Sequence, residues 1–331
     1  MESMGELNGF WKGRRVFLTG ASGMIGSWMI KELLTQGAEP VIVVRDDDPQ
    51  SELFRSGNIR SVAVVHGALE DFWSLERAIN EYEVETVFHL GAQTIVGIAH
   101  RSPLPTFEAN IRGTYNLLEA CRLHGDLVRR VVIASSDKAY GEQADLPYTE
   151  ATPLTGRHPY EVSKSCADLI AQAYYCTYGL RIAIARCGNV YGGGDLNWSR
   201  IVPGTIRAIV RGERPVVRSD GTYVRDYIYV KDVVQAYLRL AEDLEGAGVA
   251  GEGFNFSAER PTSVLEIVDA IRRLTGREDI QPDVRSNATG EIRHQYLSAA
   301  KARKVLGWKP TYDLETGLCE TIAWYRAFFR G

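Results

Sequence analysis

Short apolar runs alternate with amphipathic stretches through the first half of the chain. The runs are rich in β-branched residues, as buried strands are, and they are RRVFLTG, VIVVRD, SVAVVHG, TVFHLGA and RVVIASS. The stretches between them place apolar residues at helical spacing, as in SGMIGSWMIKELLTQG, FWSLERAINEY and PLPTFEANIRGTYNLLEACRLHG. Strands that alternate with helices form parallel sheets covered on both faces. The pattern therefore predicts an α/β fold with a doubly wound parallel sheet.

The pattern changes after RIAIARCGNVYG, which is predicted to be a sixth strand running into a glycine-rich loop. Beyond it, the strand-like segments VVR, RDYIYV and GFNFS are mixed with helical segments near 201–212, 263–275, 299–306 and 314–329. This mixture predicts a second, smaller and discontinuous α/β domain. We place the first domain over 1–187 and the second over 188–331, with part of 226–257 able to return to the first sheet.

The first strand ends in TGASGMIG, in which Gly20, Gly23 and Gly26 stand at GxxGxxG spacing before a helix. Glycines there allow a tight turn and a close approach of the backbone to a pyrophosphate, which the helix N-terminus stabilises. The position within the first βαβ unit is the context that this motif requires. The sequence therefore predicts a Rossmann domain that binds a dinucleotide.

The end of the second strand bears on the choice of dinucleotide. An acid at this point binds the adenosine ribose hydroxyls and selects NAD, whereas an arginine can accept the 2′-phosphate of NADP. The chain has both, as Arg45 and Asp46. NAD is therefore the expected cofactor, and NADP is the alternative. Ala68 stands in HGALED where an acid beside the adenine would be expected.

Tyr160 and Lys164 in YEVSK lie one turn apart on a predicted helix. An ammonium about 4 Å from a phenol contributes roughly 4 kcal/mol at an effective dielectric of about 20, which lowers the pKa of the phenol toward neutrality. Tyr160 could then accept the proton of a substrate hydroxyl while hydride leaves the carbon. Lys164 could also hold the nicotinamide ribose, and Ser136 at the end of RVVIASS could fix the same substrate oxygen. This set predicts a nicotinamide-dependent oxidation of an alcohol.

Composition excludes several other classes of protein. The chain of 331 residues has 45% hydrophobic and 24% charged residues, which is ordinary for a globular enzyme. Its net charge of −4 argues against a nucleic-acid partner. Neither a membrane span nor a signal peptide is expected from the apolar runs. The five cysteines lack metal-type spacing, so we expect reduced core thiols in a cytoplasmic protein without a metal site.

Seven segments together resemble the extended short-chain dehydrogenase/reductase family, and within it the nucleotide-sugar epimerases and dehydratases. They are TGASGMIG, HLGAQ, NIRGTYNLLEAC, SSDKAYG, PYEVSK, RCGNVYGGGD and RDYIYVKDV, in the family's order. The resemblance implies a tightly bound NAD(P) and a C-terminal domain that binds a nucleoside-diphosphate sugar. It also implies further cofactor contacts from Ser22, Met24, Ile25, Leu69, Leu90, Ala92, Gln93 and Asn110. Asn110 would be the family's helix-borne anchor for a water or for the backbone.

Asp137-Lys138 in SSDKAYG bears on which of two reactions the resemblance implies. A 4-epimerase oxidises C4 of the sugar and returns hydride to the other face, for which the serine, tyrosine and lysine suffice. A 4,6-dehydratase also needs a base for the C5 proton and an acid for the departing C6 hydroxyl. Many dehydratases carry Asp-Glu here, and those similar to CDP-glucose 4,6-dehydratase carry Asp-Lys. We therefore expect an NDP-hexose 4,6-dehydratase, with Asp137 as the acid and Lys138 as a base of lowered pKa.

Other interpretations of the same segment stay open. SSDKAYG also aligns with the SSxxVYG of epimerases, so an NDP-sugar 4-epimerase is the alternative activity. As a surface ion pair, Asp137 and Lys138 would contribute only about 0–1 kcal/mol to stability. A non-catalytic Rossmann protein that senses a dinucleotide is a third reading, but such a protein has no use for an activated phenol.

The resemblance implies substrate contacts and an assembly as well. Arg225 and Arg293 are the expected diphosphate ligands, because a guanidinium can bond two oxygens at once. The other expected substrate contacts are His100, Arg101, Ser102, Asn189 and Val202. His89 lies within an apolar strand and is expected to be a core residue. Family members often dimerise through two helices per subunit, and the helices at about 103–124 and 158–178 are the candidates for a homodimer interface.

Overall fold

The computed structural model describes residues 9–287 and 291–330. Its strands are β1 Arg15–Thr19, β2 Glu39–Val44, β3 Ala63–His66, β4 Thr86–His89, β5 Arg130–Ala134, β6 Ile182–Cys187, β7 Asn189–Tyr191, β8 Val216–Val217, β9 Val224–Tyr229, β10 Gly253–Phe256, β11 Pro261–Ser263, β12 Asp283–Val284 and β13 His294–Gln295. Its helices are α1 Met24–Thr35, α2 Glu52–Arg55, α3 Phe72–Glu81, α4 Val96–Arg101, α5 Pro103–Phe107, α6 Gly113–Leu123, α7 Pro159–Tyr178, α8 Ile201–Val210, α9 Val230–Glu242, α10 Val264–Thr275, α11 Ala300–Leu306 and α12 Leu314–Phe328.

The largest sheet has the strand order β10-β6-β5-β4-β1-β2-β3. The ladders from β3 to β6 are all parallel, which confirms the predicted doubly wound sheet. Its strands are continuous apolar runs because helices cover both faces, and the core includes Phe17, Val87 and Val131 at 0% exposure. Strand order reverses between β1 and β4. In such sheets ligands bind outside the carboxyl ends of the strands at this reversal.

The described chain packs as two units. Among the described residues, the first comprises 9–135, 158–185 and 237–253, and the second comprises 136–157, 186–236 and the described part of the chain from 254 to 330. In the second unit β9 pairs with β7, β11 and β13, and β8 pairs with β12 in a small separate sheet. The proposed division at residue 187, with part of 226–257 returning to the first sheet, remains a prediction.

The predicted sixth strand is wrong in one respect, because RIAIARCGNVYG forms two strands. β6 belongs to the large sheet, whereas β7 pairs with β9 in parallel. Gly188 separates them at a crowded point, where an added Cβ would lie 2.8 Å from the carbonyl oxygen of Asp226. The sequence carries no clear signal of the change of sheet, because a single glycine between two short strand-like segments does not show which sheet each joins.

The segment predicted as one helix near 103–124 is also divided. Its middle, Glu108–Arg112, is a π-helix between α5 and α6. Such insertions are rare and occur often at functional sites. Asn110 lies within this turn, so the departure from α-helical geometry coincides with a candidate site residue.

The cysteines need a correction as well. Cys121 and Cys187 are buried, but Cys176 and Cys319 are exposed, so the five are not all core thiols. All five are free thiols, as expected. Within 9–287 and 291–330, no helix has the length and apolar character to cross a membrane. In the same ranges no cluster of three metal-ligating side chains is found.

Candidate active site

The glycines after β1 serve different purposes. Gly20 has φ +74°, and an added Cβ would lie 2.6 Å from the backbone nitrogen of Gly91. At Gly26 an added Cβ would lie 2.1 Å from the carbonyl oxygen of Gly20, so α1 can pack on the loop only without a side chain there. Gly23 is exposed, and an added Cβ would meet only the Gly20 oxygen, at 3.3 Å. The first and third glycines are thus required by the fold, whereas the second leaves an open surface.

That open surface lies at the N-terminus of α1. Gly23 is the N-cap, no side chain bonds the cap position, and the first turn contains no acidic residue. The backbone N–H groups of a helix N-terminus attract anions, and pyrophosphates in particular bind there. Ser22 and Ile25 are partly exposed at this turn, whereas Met24 is buried in the first unit. The loop therefore fits a dinucleotide pyrophosphate.

Arg45 and Asp46 follow β2 and form an ion pair of 2.6 Å with each other. Both side chains are more than 70% exposed. Exposed pairs contribute little to stability, so either partner can turn to a ligand at small cost. The two groups that bear on the NAD/NADP choice are therefore both present at the end of β2.

Lys164 is a buried cation on α7. Its Nζ donates a hydrogen bond of 2.8 Å to the carbonyl oxygen of Ala134, at the end of β5. Burial lowers the pKa of Lys164 to about 8, and Asp168 opposes this shift. Tyr160 is half-buried one turn earlier on the same helix. Tyr160 and Lys164 therefore lie on one face of α7, the spacing from which the sequence predicts proton abstraction by the phenol.

His89 is buried, as predicted for a core residue. Its Nδ1 lies 2.8 Å from Thr19 Oγ1 and its Nε2 lies 3.1 Å from Thr114 Oγ1. Thr114 donates its own proton to the Asn110 carbonyl, so Nε2 is the donor to Thr114 and Nδ1 accepts from Thr19. Burial, followed by the nearby Lys164 charge, lowers the pKa of His89 to about 3. His89 is therefore neutral, and its two hydrogen bonds connect the end of β4 to β1 and α6.

Asn110 joins three parts of the first unit. Its Oδ1 accepts from the Gln93 backbone N–H at 2.7 Å, and its Nδ2 donates to the Gln93 carbonyl at 3.0 Å and to Ser163 Oγ at 2.9 Å. It thus ties the loop after β4 to α7, the helix that carries Tyr160 and Lys164. The remaining proposed cofactor contacts, Leu69, Leu90 and Ala92, are partly exposed near the ends of β3 and β4.

In the second unit, Ser136, Asp137 and Lys138 form one hydrogen-bonded group. Ser136 Oγ donates to Asp137 Oδ1 at 3.0 Å and accepts from the Lys138 backbone N–H at 3.2 Å. Lys138 Nζ lies 3.8 Å from Asp137 Oδ2, and the two side chains are 20% and 2% exposed. Asp137 Oδ2 is buried without a hydrogen-bond partner. The pair is therefore not the solvated surface pair that the sequence left open.

Two side chains near this group escaped the sequence analysis. Gln295 is fully buried and bonds both Lys138 Nζ and the Asp137 carbonyl oxygen. Asp226 is also fully buried, and burial raises its pKa to about 7. Gln295 lies 157 residues from Lys138, and no motif points to a glutamine in RHQY. Only the fold brings them together.

The structure also brings the two proposed diphosphate ligands together. Arg225 on β9 and Arg293 place their guanidinium carbons 5.7 and 5.5 Å from the ring centre of Tyr223. Arg225 donates to the Val224 and Arg293 carbonyls and lies 3.9 Å from Glu291, whereas Arg293 pairs with Asp220 at 2.9 Å. The two guanidinium groups thus lie beside one ring, each near a carboxylate, and a guanidinium is the group that can bond two phosphate oxygens at once.

The other proposed substrate contacts are dispersed. Asn189 is half-buried on β7 and pairs with Tyr227 in the ladder with β9. Val202 is 2% exposed within α8, so its side chain packs in the interior of the second unit. His100 and Arg101 end α4 and are exposed, as is Ser102, and the His100 ring lies 5.2 Å from the His158 ring in the first unit.

Comparison with known proteins identifies the group to which this arrangement belongs. The family model described as GDP-mannose 4,6 dehydratase matches residues 17–321. A CDP-glucose 4,6-dehydratase of Salmonella typhimurium is 32% identical, over 97% of this chain and 93% of its own.

Two solved structures are similar over nearly the whole chain. One is a UDP-glucose 4-epimerase of Thermotoga maritima with UDP-glucose, at 29% identity and TM-score 0.86, covering 95% of this chain and 99% of its own. The other is a dTDP-glucose 4,6-dehydratase of Streptomyces venezuelae with NAD, at 27% identity and TM-score 0.85, covering 95% of this chain and 97% of its own. By the family match and the 32% identical relative, this chain belongs to the extended short-chain dehydrogenase/reductase family, in the group of nucleotide-sugar dehydratases and epimerases.

Proposed function

We propose that this protein is an NDP-hexose 4,6-dehydratase that uses a tightly bound NAD. The observation that carries the proposal is the Asp137-Lys138 pair directly after Ser136, with Asp137 buried and Lys138 partly buried. An epimerase needs no acid and base at this point, and burial of a carboxylate such as Asp137 is unfavourable unless it is paired or functional. The CDP-glucose and dTDP-glucose dehydratases among the relatives support the same activity.

Bound NAD would take hydride from C4 of the hexose and give it back at C6. Tyr160 accepts the proton of the C4 hydroxyl, with Lys164 beside it to stabilise the phenolate and Ser136 to hold the same oxygen. Lys138 then removes the C5 proton, which the C4 ketone has made acidic. Asp137 donates a proton to the C6 hydroxyl, which leaves as water. Lys138 would return a proton to C5 as hydride is given back at C6, so the product is a 4-keto-6-deoxy sugar.

We assign the cofactor contacts to the first unit and the diphosphate contacts to the second. We assign the cofactor to the glycine loop, the Arg45-Asp46 pair, Gln93 and the Asn110 anchor. We assign the diphosphate of a nucleoside-diphosphate sugar to Arg225 and Arg293. The remaining contacts proposed from the sequence stay part of this assignment, namely His100, Arg101, Ser102, Asn189 and Val202.

Incubation of the purified protein with CDP-, GDP-, UDP- and dTDP-hexoses tests the proposal. The expected product is a 4-keto-6-deoxy sugar formed with loss of one water, identified by mass and by the keto group. A sugar inverted at C4 with no loss of water would instead establish the 4-epimerase, which the 29% identical Thermotoga maritima enzyme represents.

Replacing the proposed base separates the two half-reactions. Lys138→Ala should abolish dehydration while substrate still reduces the bound cofactor, because oxidation at C4 depends on Tyr160 and Lys164. Stopped-flow absorbance of reduced nicotinamide and product analysis measure the two steps. Lys304→Ala, at an exposed lysine of α11, is the matched control and should behave as wild type. Full turnover by Lys138→Ala would exclude Lys138 as the base.

We also propose a homodimer built on α6 and α7. The exposed sides of these helices carry apolar residues, with Tyr115 41%, Leu123 53%, Leu169 53% and Tyr178 58% exposed. Leu169, Ala173 and Cys176 are exposed at i, i+4 and i+7 spacing, which places them on one stripe of α7. Apolar stripes of this kind favour helix packing between subunits.

A cytoplasmic location is proposed from the free thiols.

A further inference from the structure

We propose that Gln295 is a positioning residue for the C5 base: its amide holds the Lys138 amine in place without setting a negative charge against it. The inference rests on the proposed dehydratase function, and it adds a residue outside the serine, tyrosine, lysine and acid/base set. Gln295 is 0% exposed. A buried amide must be hydrogen-bonded at both ends to be tolerated there.

Both ends of the Gln295 amide are used, and both reach the acid/base pair. Nε2 donates to the Asp137 carbonyl oxygen at 2.9 Å, and Oε1 accepts from Lys138 Nζ. The direction of the amide is fixed by chemistry, because a carbonyl only accepts and an amine donates. Gln295 therefore spans from the backbone of the acid to the side chain of the base.

The backbone of Gln295 is itself restrained. It lies on β13, which pairs with β9 in parallel so that Gln295 is opposite Arg225. The next residues continue the restraint, because the Leu297 N–H donates to Asp226 Oδ2 at 3.3 Å. The strand therefore fixes the amide relative to β9, the strand that bears the proposed diphosphate ligand.

The charge of the partner decides whether a lysine can act as a base. A carboxylate at the Gln295 position would attract the ammonium by roughly 4 kcal/mol at about 4 Å and an effective dielectric of about 20. A neutral amide accepts the same hydrogen bond with far less preference for the charged form. Titratable groups of the second unit that interact electrostatically with Asp137 include Asp226 and Tyr148.

Asp137 makes a charged contact with Lys138, at 3.8 Å between Oδ2 and Nζ. Burial holds Asp226 partly protonated at neutral pH, since its pKa is raised to about 7. Gln295 itself adds no negative charge to that of Asp137, so the amide does not oppose loss of the Lys138 proton. Gln295 is neutral and leaves the charge near Lys138 unchanged. A glutamate at this position would add a negative charge that favours the protonated amine.

Gln295→Glu tests the inference directly. At neutral pH we expect dehydration to slow by about 10- to 1,000-fold, with the acidic limb of the rate profile, where the base loses its proton, moved to higher pH by on the order of 1 to 3 units. The reduction of the bound cofactor by substrate should keep its wild-type rate, because Tyr160 and Lys164 are untouched. Product analysis across pH and stopped-flow absorbance give the two readouts.

A milder variant covers the case in which Gln295→Glu does not fold. Gln295→Asn keeps a neutral amide but is one methylene shorter, so it cannot bond both partners. We expect slower dehydration, unchanged cofactor reduction and no shift of the pH profile. His294→Gln, at the exposed neighbouring residue of β13, is the control and should match wild type.

Three results would overturn the inference. They are a folded Gln295→Glu variant with the wild-type pH profile, a folded Gln295→Asn variant with full dehydration, and equal loss of both half-reactions in either variant. Failure of the proposed function looks different, because the wild-type protein itself would then give a sugar that has lost no water. That result would remove the function and this inference together.

Discussion

His89 shows how a single buried side chain can make the fold sensitive to pH. Both of its ring nitrogens are used in the neutral form, with Nε2 donating to Thr114 and Nδ1 accepting from Thr19. Thr19 Oγ1 also accepts from the Gly91 N–H at 2.9 Å. A second ring proton would point at a hydroxyl that is already donating to the ring. This conflict adds to burial in disfavouring the charged form.

The pH dependence of stability follows from the lowered pKa. The unfolded chain binds the His89 proton near the ordinary value of 6.5, whereas the folded chain binds it near 3. Stability should therefore fall as the pH decreases from 6.5 toward 3, by up to about 1.4 kcal/mol per pH unit from this group. In His89→Asn this contribution is absent, so the stability deficit of the variant should shrink by about 2 kcal/mol between pH 7 and about pH 4.5.

Urea unfolding at the two pH values measures the deficit. His294→Asn, at an exposed histidine, is the control and should follow wild type. A deficit of His89→Asn that stays constant between the two pH values would show that His89 does not set the acid sensitivity.

Among single residues, the sequence predicted the side chains that lie in local motifs. Tyr160, Lys164 and the three glycines are read from spacing alone, and His89 is correctly expected in the core. Gln295 and Asp226 could not be found, because their significance depends on burial and on partners far away in the chain. A buried glutamine has no sequence signature of its own.

The loop after β1 makes a clear contrast between neighbouring glycines of one element. At Gly26 an added Cβ would lie 2.1 Å from the Gly20 oxygen, whereas at Gly23 the same distance is 3.3 Å. The same substitution should therefore act on packing at one position and on ligand binding at the other.

Gly26→Ala should destabilise the protein by about 3 kcal/mol or more, because α1 must move away from the loop. Gly23→Ala should change stability by less than about 1 kcal/mol but weaken NAD binding by at least about tenfold, because a methyl group then occupies the pyrophosphate surface. Thermal unfolding of the apoprotein and NAD titration measure the two effects. Equal NAD affinity in Gly23→Ala and wild type would place the pyrophosphate elsewhere.

The sequence predicted which helices and strands exist better than it predicted where they are interrupted. The parallel strands and the helix that begins at Pro159 follow from periodicity and capping. The breaks at Gly188 and at the π-helix of Glu108–Arg112 do not, because periodicity marks neither a change of sheet nor an extra residue in a helical turn. These breaks arise from tertiary contacts, namely the crowding of Gly188 by Asp226 and the bonds of Asn110 to Gln93 and Ser163.

At the scale of the whole molecule, the proposed homodimer depends on the exposed stripe of α7. Leu169→Glu places a charge in the middle of that stripe, where it would be buried without a partner in a dimer. The variant should be monomeric at concentrations at which wild type is dimeric, as measured by light scattering after size exclusion. Trp73→Glu replaces a side chain that is 72% exposed on α3 and should leave the assembly unchanged. A monomeric wild-type protein would contradict the proposal.

The chain composition of the two packed units limits how this enzyme can be truncated. Each is assembled from three separate stretches of chain, so neither corresponds to a piece that a single cut can release. The buried cluster of Tyr140, Tyr148 and Leu297 joins residues from two of the stretches of the second unit. A truncation that begins at residue 188 would discard both tyrosines and expose the leucine. Domain exchange between relatives should therefore transplant segment 136–157 together with the C-terminal half, rather than join two halves end to end.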